Sequence, residues 1–257
     1  MAKTYVDLLE ETLPSPTHKT YDMWKQCALD AVKRGHLVRE IVSKFTSVDG
    51  VRVLDVGCGE GGISIAFGKE GKTEVYAFDR DHECVRRSKV RAKEEKVTID
   101  FLIADGLNLP FKSGAFDIII CNDVIEHVPK PQRLAKEIHR NLNDRGFLYL
   151  SAPNGISLYS LIRDPHFNLF GVSLMPYRIG RYYVERIRKT SEAYNVYGPF
   201  SYWLLKGILS HQFNITECYK EYYSRKVKGV LRGFMKYFPK VMLRFIVPTL
   251  IFLCEKS

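Results

Sequence analysis

The run Val53-Leu54-Asp55-Val56-Gly57-Cys58-Gly59-Glu60-Gly61-Gly62 constrains the fold more than any other stretch, because an apolar strand carrying an acid runs directly into a glycine loop and then into helix-forming sequence. Glycine at 57 and 59 permits positive φ and lets a ligand approach the backbone with no Cβ in the way, while the first N–H groups of the following helix suit an anionic tail. Such a unit makes a nucleotide-sized pocket. Gly57, Gly59 and Gly62 meet the G-x-G-x-x-G spacing used for dinucleotides, and Asp79 lies 22 residues after Gly57, where a ribose-binding acid is expected. Spacing alone therefore leaves an NAD-dependent oxidoreductase open. Asp55, two residues before the first glycine, tilts the choice, since its charge repels a pyrophosphate and suits a ligand that bears a cation.

Downstream, short apolar runs at 51–56, 74–79, 98–103, 116–121 and 146–152 alternate with helical stretches near 61–70, 82–95 and 131–142. That rhythm demands an α/β fold with a parallel sheet. Upstream, Trp24, Cys27, Ala28, Ala31, Leu37, Val38, Ile41, Val42 and Phe45 recur at helical spacing, predicting one long helix or two, broken at Gly35. The first 20 residues, with Pro14 and Pro16, read as a mobile arm, and Tyr5, Tyr21 and Trp24 as candidates to cover the pocket. Past Pro153 the pattern predicts an aromatic and basic stretch to Tyr197, a helix near 200–210, a strand near 213–223 and a last strand near 249–254.

The chain has 257 residues, 46% hydrophobic and 26% charged, an ordinary globular balance. Cys27, Cys58, Cys84, Cys121, Cys218 and Cys254 form no C-x-x-C pair and no signal-peptide pattern precedes them, so a reducing, cytoplasmic setting is expected. The net charge of +10 is uneven, since residues 220–257 hold nine Lys or Arg against two Glu. Between 224 and 247, Lys228, Arg232, Lys236, Lys240 and Arg244 recur every four residues among bulky apolar side chains, the pattern of a basic amphipathic helix that touches a membrane surface or a partner. The run 241–254 contains Arg244 and Pro248 and is shorter than the ~20 residues a bilayer span needs, so no transmembrane segment is expected.

Four ordered segments resemble the class I S-adenosylmethionine-dependent methyltransferases, in particular the small-molecule (type 11, quinol O-methyltransferase-like) group. They are the loop at 55–61, Val75–Asp79, Ala104-Asp105-Gly106-Leu107-Asn108-Leu109-Pro110-Phe111, and Phe116–Val128, and the resemblance covers roughly residues 35–155. It implies a Rossmann-like seven-stranded sheet, mostly parallel with an antiparallel C-terminal hairpin, carrying helical and aromatic insertions. The expected organisation is an N-terminal arm with cap helices (1–46), a donor-binding core (47–153), a substrate lid (154–199) and a C-terminal part of the core with the basic insertion (200–257). The resemblance further implies S-adenosylmethionine as cofactor. Asp55 and the Gly57, Cys58, Gly59 and Gly61 backbone would hold its methionine portion, Asp79 the ribose hydroxyls and Asp105 the adenine amino group, with Phe78, Arg80, Gly106, Leu107 and Asn122 as walls. A carboxylate suits such donors because its two oxygens accept short, charge-assisted hydrogen bonds.

On the acceptor side, Asp123, Glu126 and His127 match the acid-x-x-acid-His spacing of the quinol methyltransferases, where these positions are associated with a divalent metal; here Asp123 stands where that pattern usually has Glu. His127 is the preferred base, and ordering of the loop by Glu126-His127 is the plainer alternative. No metal site is assigned from the sequence. His166 and His211 carry no pattern and read as ordinary polar residues, while the aromatics and arginines of 164–183 suit a lid over an aromatic or lipid-like acceptor. The fourth strand is followed by Cys121-Asn122-Asp123-Val124 rather than N-P-P-Y or D-P-P-Y, which moves nucleic acid down the order of partners. Methyl transfer, most readily to oxygen, is the expected activity. An oxidoreductase and a non-catalytic membrane- or partner-binding protein on the same fold are the alternatives.

Overall fold

The computed structural model describes residues 3–12, 21–69, 72–162, 164, 166, 167, 169–188, 196, 197, 200–226 and 237–257. One seven-stranded sheet has the order β3-β2-β1-β4-β5-β7-β6, with β1 Arg52–Val56, β2 Glu74–Asp79, β3 Asp100–Ile103, β4 Phe116–Asn122, β5 Leu142–Pro153, β6 Phe213–Glu217 and β7 Thr249–Lys256. β1 pairs with β2 and β2 with β3 in parallel, whereas β6 and β7 pair antiparallel, Phe213 opposite Lys256. This is the mixed sheet with a C-terminal hairpin that the motifs imply. The central strands are buried on both faces, as Val53, Leu54, Ile118, Ile119 and Ile120 show, which explains why they read as unbroken apolar runs.

The chain divides into two compact units, Met1–Ile120 with Arg140–Phe147, and Cys121–His139 with Leu148–Ser257. In the first lie α1 Tyr5–Thr12, α2 Tyr21–Leu29, α3 Ala31–Val42, α4 Gly62–Gly68 and α5 His82–Glu94. The expected helix break is corrected here. The helix break falls at Asp30, not Gly35, and Gly35 sits inside α3 because a Cβ there would lie 2.4 Å from the Gly62 carbonyl oxygen and 2.8 Å from Ala66 Cβ. Gly62 is matched to it, since its own Cβ would meet the Ala31 backbone at 2.3 Å. The paired glycines let α3 and α4 touch backbone to backbone, which places the helix after the glycine loop.

The first 20 residues are not an arm throughout, because residues 5–12 form α1 with Tyr5, Leu8 and Leu9 buried; 13–20 lie outside the described residues. Tyr5 clusters with Leu9 and Ala28 in the core rather than covering a pocket, and its hydroxyl meets Glu60 at 3.2 Å. Trp24 stays partly exposed.

The division between the units falls near the end of α6 Pro131–Asn141, at His139, and again within β5, at Phe147. The second unit adds α7 Leu158–Ile162, α8 Tyr177–Arg188, α9 Tyr202–Leu209, α10 Tyr219–Lys226 and α11 Lys240–Ile246, with 3-10 turns at Ile125–His127 and Val172–Leu174. The strand expected over 213–223 ends at Glu217 and gives way to α10, because Tyr219 and Tyr223, one helical turn apart, are both buried. Most of the basic insertion, 227–236, lies outside the described residues, so the amphipathic helix expected there is seen only in its last part, α11. No helix among the described residues is long and apolar enough to cross a membrane.

Candidate active site

The glycine loop is held open by its own backbone. Gly57, Gly59 and Gly61 take φ of 66°, 49° and 68°, which glycine adopts without steric cost. Gly61 also needs to lack a side chain, since a Cβ would lie 2.9 Å from Ser88 Cβ, whereas nothing lies within 4 Å of a Cβ built on Gly59. The loop is therefore closed on its inner side and open at Gly59. Ser88 Oγ donates to the Gly59 carbonyl at 2.7 Å, Gly61 N to the Cys58 carbonyl at 2.8 Å and Cys58 N to the Phe78 carbonyl at 2.9 Å.

Both acids beside the loop shape it. Asp55, 2% exposed at the end of β1, accepts from Ser64 Oγ at 2.5 Å and Ser64 N at 3.1 Å through the same oxygen, so it fastens the first turn of α4. Burial pushes its pKa up to about 6, opposed by the two Ser64 hydrogen bonds and reinforced by the charge of Asp79. Asp79 accepts from Gly59 N at 2.9 Å through one oxygen and from Asp81 N at 3.0 Å through the other, leaving lone pairs on each for a ligand's hydroxyls. Glu60 is drawn away by Arg87, whose guanidinium donates to it from Nη2 at 2.7 Å. Burial, then the charges of Asp55 and Asp79, raise the Cys58 thiol well above its usual range, so it is no nucleophile.

Asp105 is exposed and closes an Asx turn by accepting from Leu107 N at 2.9 Å; Gly106 and Leu107 are half-buried, and Arg80 is exposed after β2. Thus hydrogen bonds join Cys58 to Gly61 and Gly59 to Asp79, Asp55 fastens the helix that follows through Ser64, and Gly57 lies in the same turn, whereas Arg80 and Asp105 follow β2 and β3.

In the second unit, Asn122 and Asp123 follow β4. Asp123 has φ 55°, a left-handed conformation that short polar side chains tolerate. Its carboxylate accepts from Ser151 Oγ at 2.8 Å and from Asn122 Nδ2 at 3.1 Å, and its N–H donates to the Ser151 carbonyl. Glu126 is 1% exposed, and neither of its oxygens meets a hydrogen-bond donor among the described residues. His127 Nε2 lies 3.9 Å from Glu126 Oε1, and a second imidazole, His166 Nε2, lies 3.8 Å from the same oxygen. The two rings meet edge to face with centroids 5.1 Å apart. Burial pulls the His166 pKa down, but Glu126, then Asp164 and Asp123, outweigh it and hold the pKa above the usual imidazole value. A buried carboxylate with no donor beside two half-buried imidazoles fits a cation, so the divalent metal associated with the quinol pattern is compatible with these residues. His166 is the residue the sequence did not reveal, because its partners lie some forty positions away and no spacing announces it.

Comparison with known proteins bears on both groups. Residues 54–150 match the family model described as a methyltransferase domain. Over 116 residues the chain is 34% identical to a ubiquinone biosynthesis O-methyltransferase of Xanthomonas oryzae pv. oryzae, covering 45% of this chain and 48% of that protein. It is 30% identical over 149 residues to a Coxiella burnetii protein of the same name, covering 56% and 62%. The match thus spans about half to three fifths of these relatives. A solved S-adenosylmethionine-dependent methyltransferase from Aquifex aeolicus superimposes with a TM-score of 0.53 at 16% identity, covering 89% of this chain and 94% of that one, and so shares the fold. Four motifs in order and a glycine loop built as described thus lie in a segment, from β1 to β5, that is similar to a methyltransferase domain and to ubiquinone biosynthesis O-methyltransferases.

Proposed function

We propose that this protein transfers a methyl group from S-adenosylmethionine to a hydroxyl of a small, quinol-like acceptor. The observation that carries the reading is the loop of Asp55, Gly57, Gly59 and Asp79, open at Gly59, within a segment similar to ubiquinone biosynthesis O-methyltransferases. In this reading Asp55 and the loop backbone take the methionine portion, Asp79 the ribose and Asp105 the adenine, with Arg80, Gly106, Leu107 and Asn122 around the nucleoside. Methyl transfer is an in-line displacement: an oxygen lone pair bonds to the methyl carbon as the carbon–sulfur bond breaks, and the hydroxyl proton must leave. Positioning supplies most of the rate. Glu126 and His127 are the groups we assign to activate the hydroxyl. Without a cation the imidazole can take its proton; a divalent cation held by the same two side chains would act in its place, lowering the hydroxyl's pKa. Asp123 is assigned to ordering the turn before them.

His127→Ala is expected to lower turnover of a catechol or quinol by roughly 100-fold, the size of a general acid–base contribution, while calorimetry shows S-adenosylmethionine binding unchanged. NADH should give no heat. Unaltered turnover in the variant, or preference for NADH, defeats the reading.

An acceptor with a lipid tail is supported by a second observation. α9 and α11 leave Trp203, Leu204, Val241, Met242, Phe245 and Ile246 between 46% and 57% exposed, with the Trp203 and Phe245 rings 5.3 Å apart. Lys206 and Lys240 stand on the same helices, so anionic headgroups complement this apolar surface. The protein should sediment with phosphatidylglycerol vesicles, and the Trp203→Ser/Phe245→Ser variant should not. Equal sedimentation of the two, or none of either, removes membrane contact from the proposal.

A further inference from the structure

We infer that His166 joins Glu126 and His127 as the third protein ligand of a divalent transition-metal site, from which Asp123 is withheld. The inference deepens the proposed acceptor site and rests on it only for what the cation would do there; binding of the cation stands on geometry alone.

One potential ligand atom from each of Glu126, His127 and His166 lies within 4.8 Å of the other two. Ligands of a tetrahedral cation held at ordinary bond lengths lie about 3.4 Å apart. The Glu126–His127 and Glu126–His166 separations of 3.9 and 3.8 Å therefore need to close by only roughly half an ångström. Among the described residues the Glu126 carboxylate has no hydrogen-bond donor to lose. Both of its oxygens are buried without a hydrogen-bond donor among the described residues, a costly arrangement for a carboxylate unless a cation is supplied. The two imidazoles keep 28% and 21% of their side chains exposed, so the site has an open side.

Asp123, the residue the sequence pattern offers as a ligand, is already engaged. Ser151 Oγ and Asn122 Nδ2 each donate to one of its oxygens and hold the carboxylate in place, and it is not among the three clustered groups. His166 takes its place from a different part of the chain, after α7, where Asp164 Oδ1 accepts from His166 N at 2.9 Å and Phe167 N at 2.8 Å and fixes the turn. Exchanging an acid for an imidazole changes which metal is preferred. Two nitrogens and one carboxylate favour Zn²⁺, Fe²⁺, Mn²⁺ or Co²⁺, whereas Mg²⁺ prefers oxygen ligands. The cation also ties the segment after β5 to the turn after β4.

The test uses Co²⁺ and the full chain without donor or acceptor, so it succeeds or fails independently of methyl transfer. The parent should bind one equivalent with the ligand-field absorption of a site containing nitrogen ligands, and Mg²⁺ in large excess should not displace it. His166→Ala should weaken binding by roughly 100-fold, at the upper end for loss of even a supporting group, while His211→Ala should not. His166→Asp separates a metal site from a plain ion pair. A carboxylate there restores Co²⁺ binding and a metal-dependent rise in Tm, but in a mere His–Glu pair it adds repulsion that no metal relieves. No uptake by the parent, unchanged affinity in His166→Ala, or failure of Co²⁺ to raise the Tm of His166→Asp overturns the inference.

Discussion

Gly35→Ala is expected to destabilise the protein by about 3 kcal/mol, the upper range for forcing extra volume into a packed contact. The new methyl would lie 2.4 Å from the Gly62 carbonyl oxygen and 2.8 Å from both Ala66 Cβ and Ile63 Cα, and two of these three atoms are backbone that cannot rotate aside. α4 would have to move, and it begins at Gly62, next to the donor loop, so S-adenosylmethionine affinity should fall with stability. Urea unfolding gives the first effect as a lower midpoint at unchanged slope, and calorimetry the second. Gly207→Ala is the control. It lies inside α9 with nothing within 4 Å of the added carbon, and helix propensity alone should make that variant more stable by roughly 0.5–1 kcal/mol. Equal midpoints for the parent and Gly35→Ala would show that the close approach of α3 and α4 is not required.

Donor binding is expected to weaken roughly tenfold for each pH unit below 6, and to be level above about 7. The cause is Asp55, whose carboxyl burial lifts to about 6, so that in acid the free protein must lose a proton before it can meet a cationic ligand. The effect on stability has the opposite sign. A folded pKa raised from 3.8 to about 6 means that this group's contribution is fully present below pH 3.8 and disappears as pH rises through about 6. The difference amounts to about 3 kcal/mol. The free protein therefore gains from Asp55 in the pH range where its affinity for donor is lost. Calorimetric titrations from pH 5 to 8 on the parent and on Asp55→Asn check this, since the variant should bind weakly at every pH. A parent profile as flat as the variant's would remove Asp55 from the donor site.

The strands β1 and β4 were legible in the sequence because each is a short apolar run buried on both faces, and the glycine loop because glycine spacing and an acid at a strand end are local patterns. What could not be read depended on tertiary contact. α1 is short and precedes a Pro- and Thr-containing stretch; it is helical because Tyr5, Leu8 and Leu9 are buried, with Tyr5 N donating to Glu94 of α5. Gly35 looks like a helix breaker to propensity alone, and its use as a contact point appears only when Gly62 and Ala66 are opposite it. The acid-x-x-acid-His spacing located Glu126 and His127 but implied Asp123 as their companion, when the group beside them is His166. Such partnerships are set by how the chain returns on itself, and no local spacing records them.

The left-handed φ of 55° at Asp123 bears on how this position is compared between proteins. Aspartate, asparagine and glycine accept that backbone readily, while a longer acid does so at a cost. The residue found here is thus matched to the bend of the chain. A glutamate placed on this turn would transplant a letter without the geometry that gives it meaning.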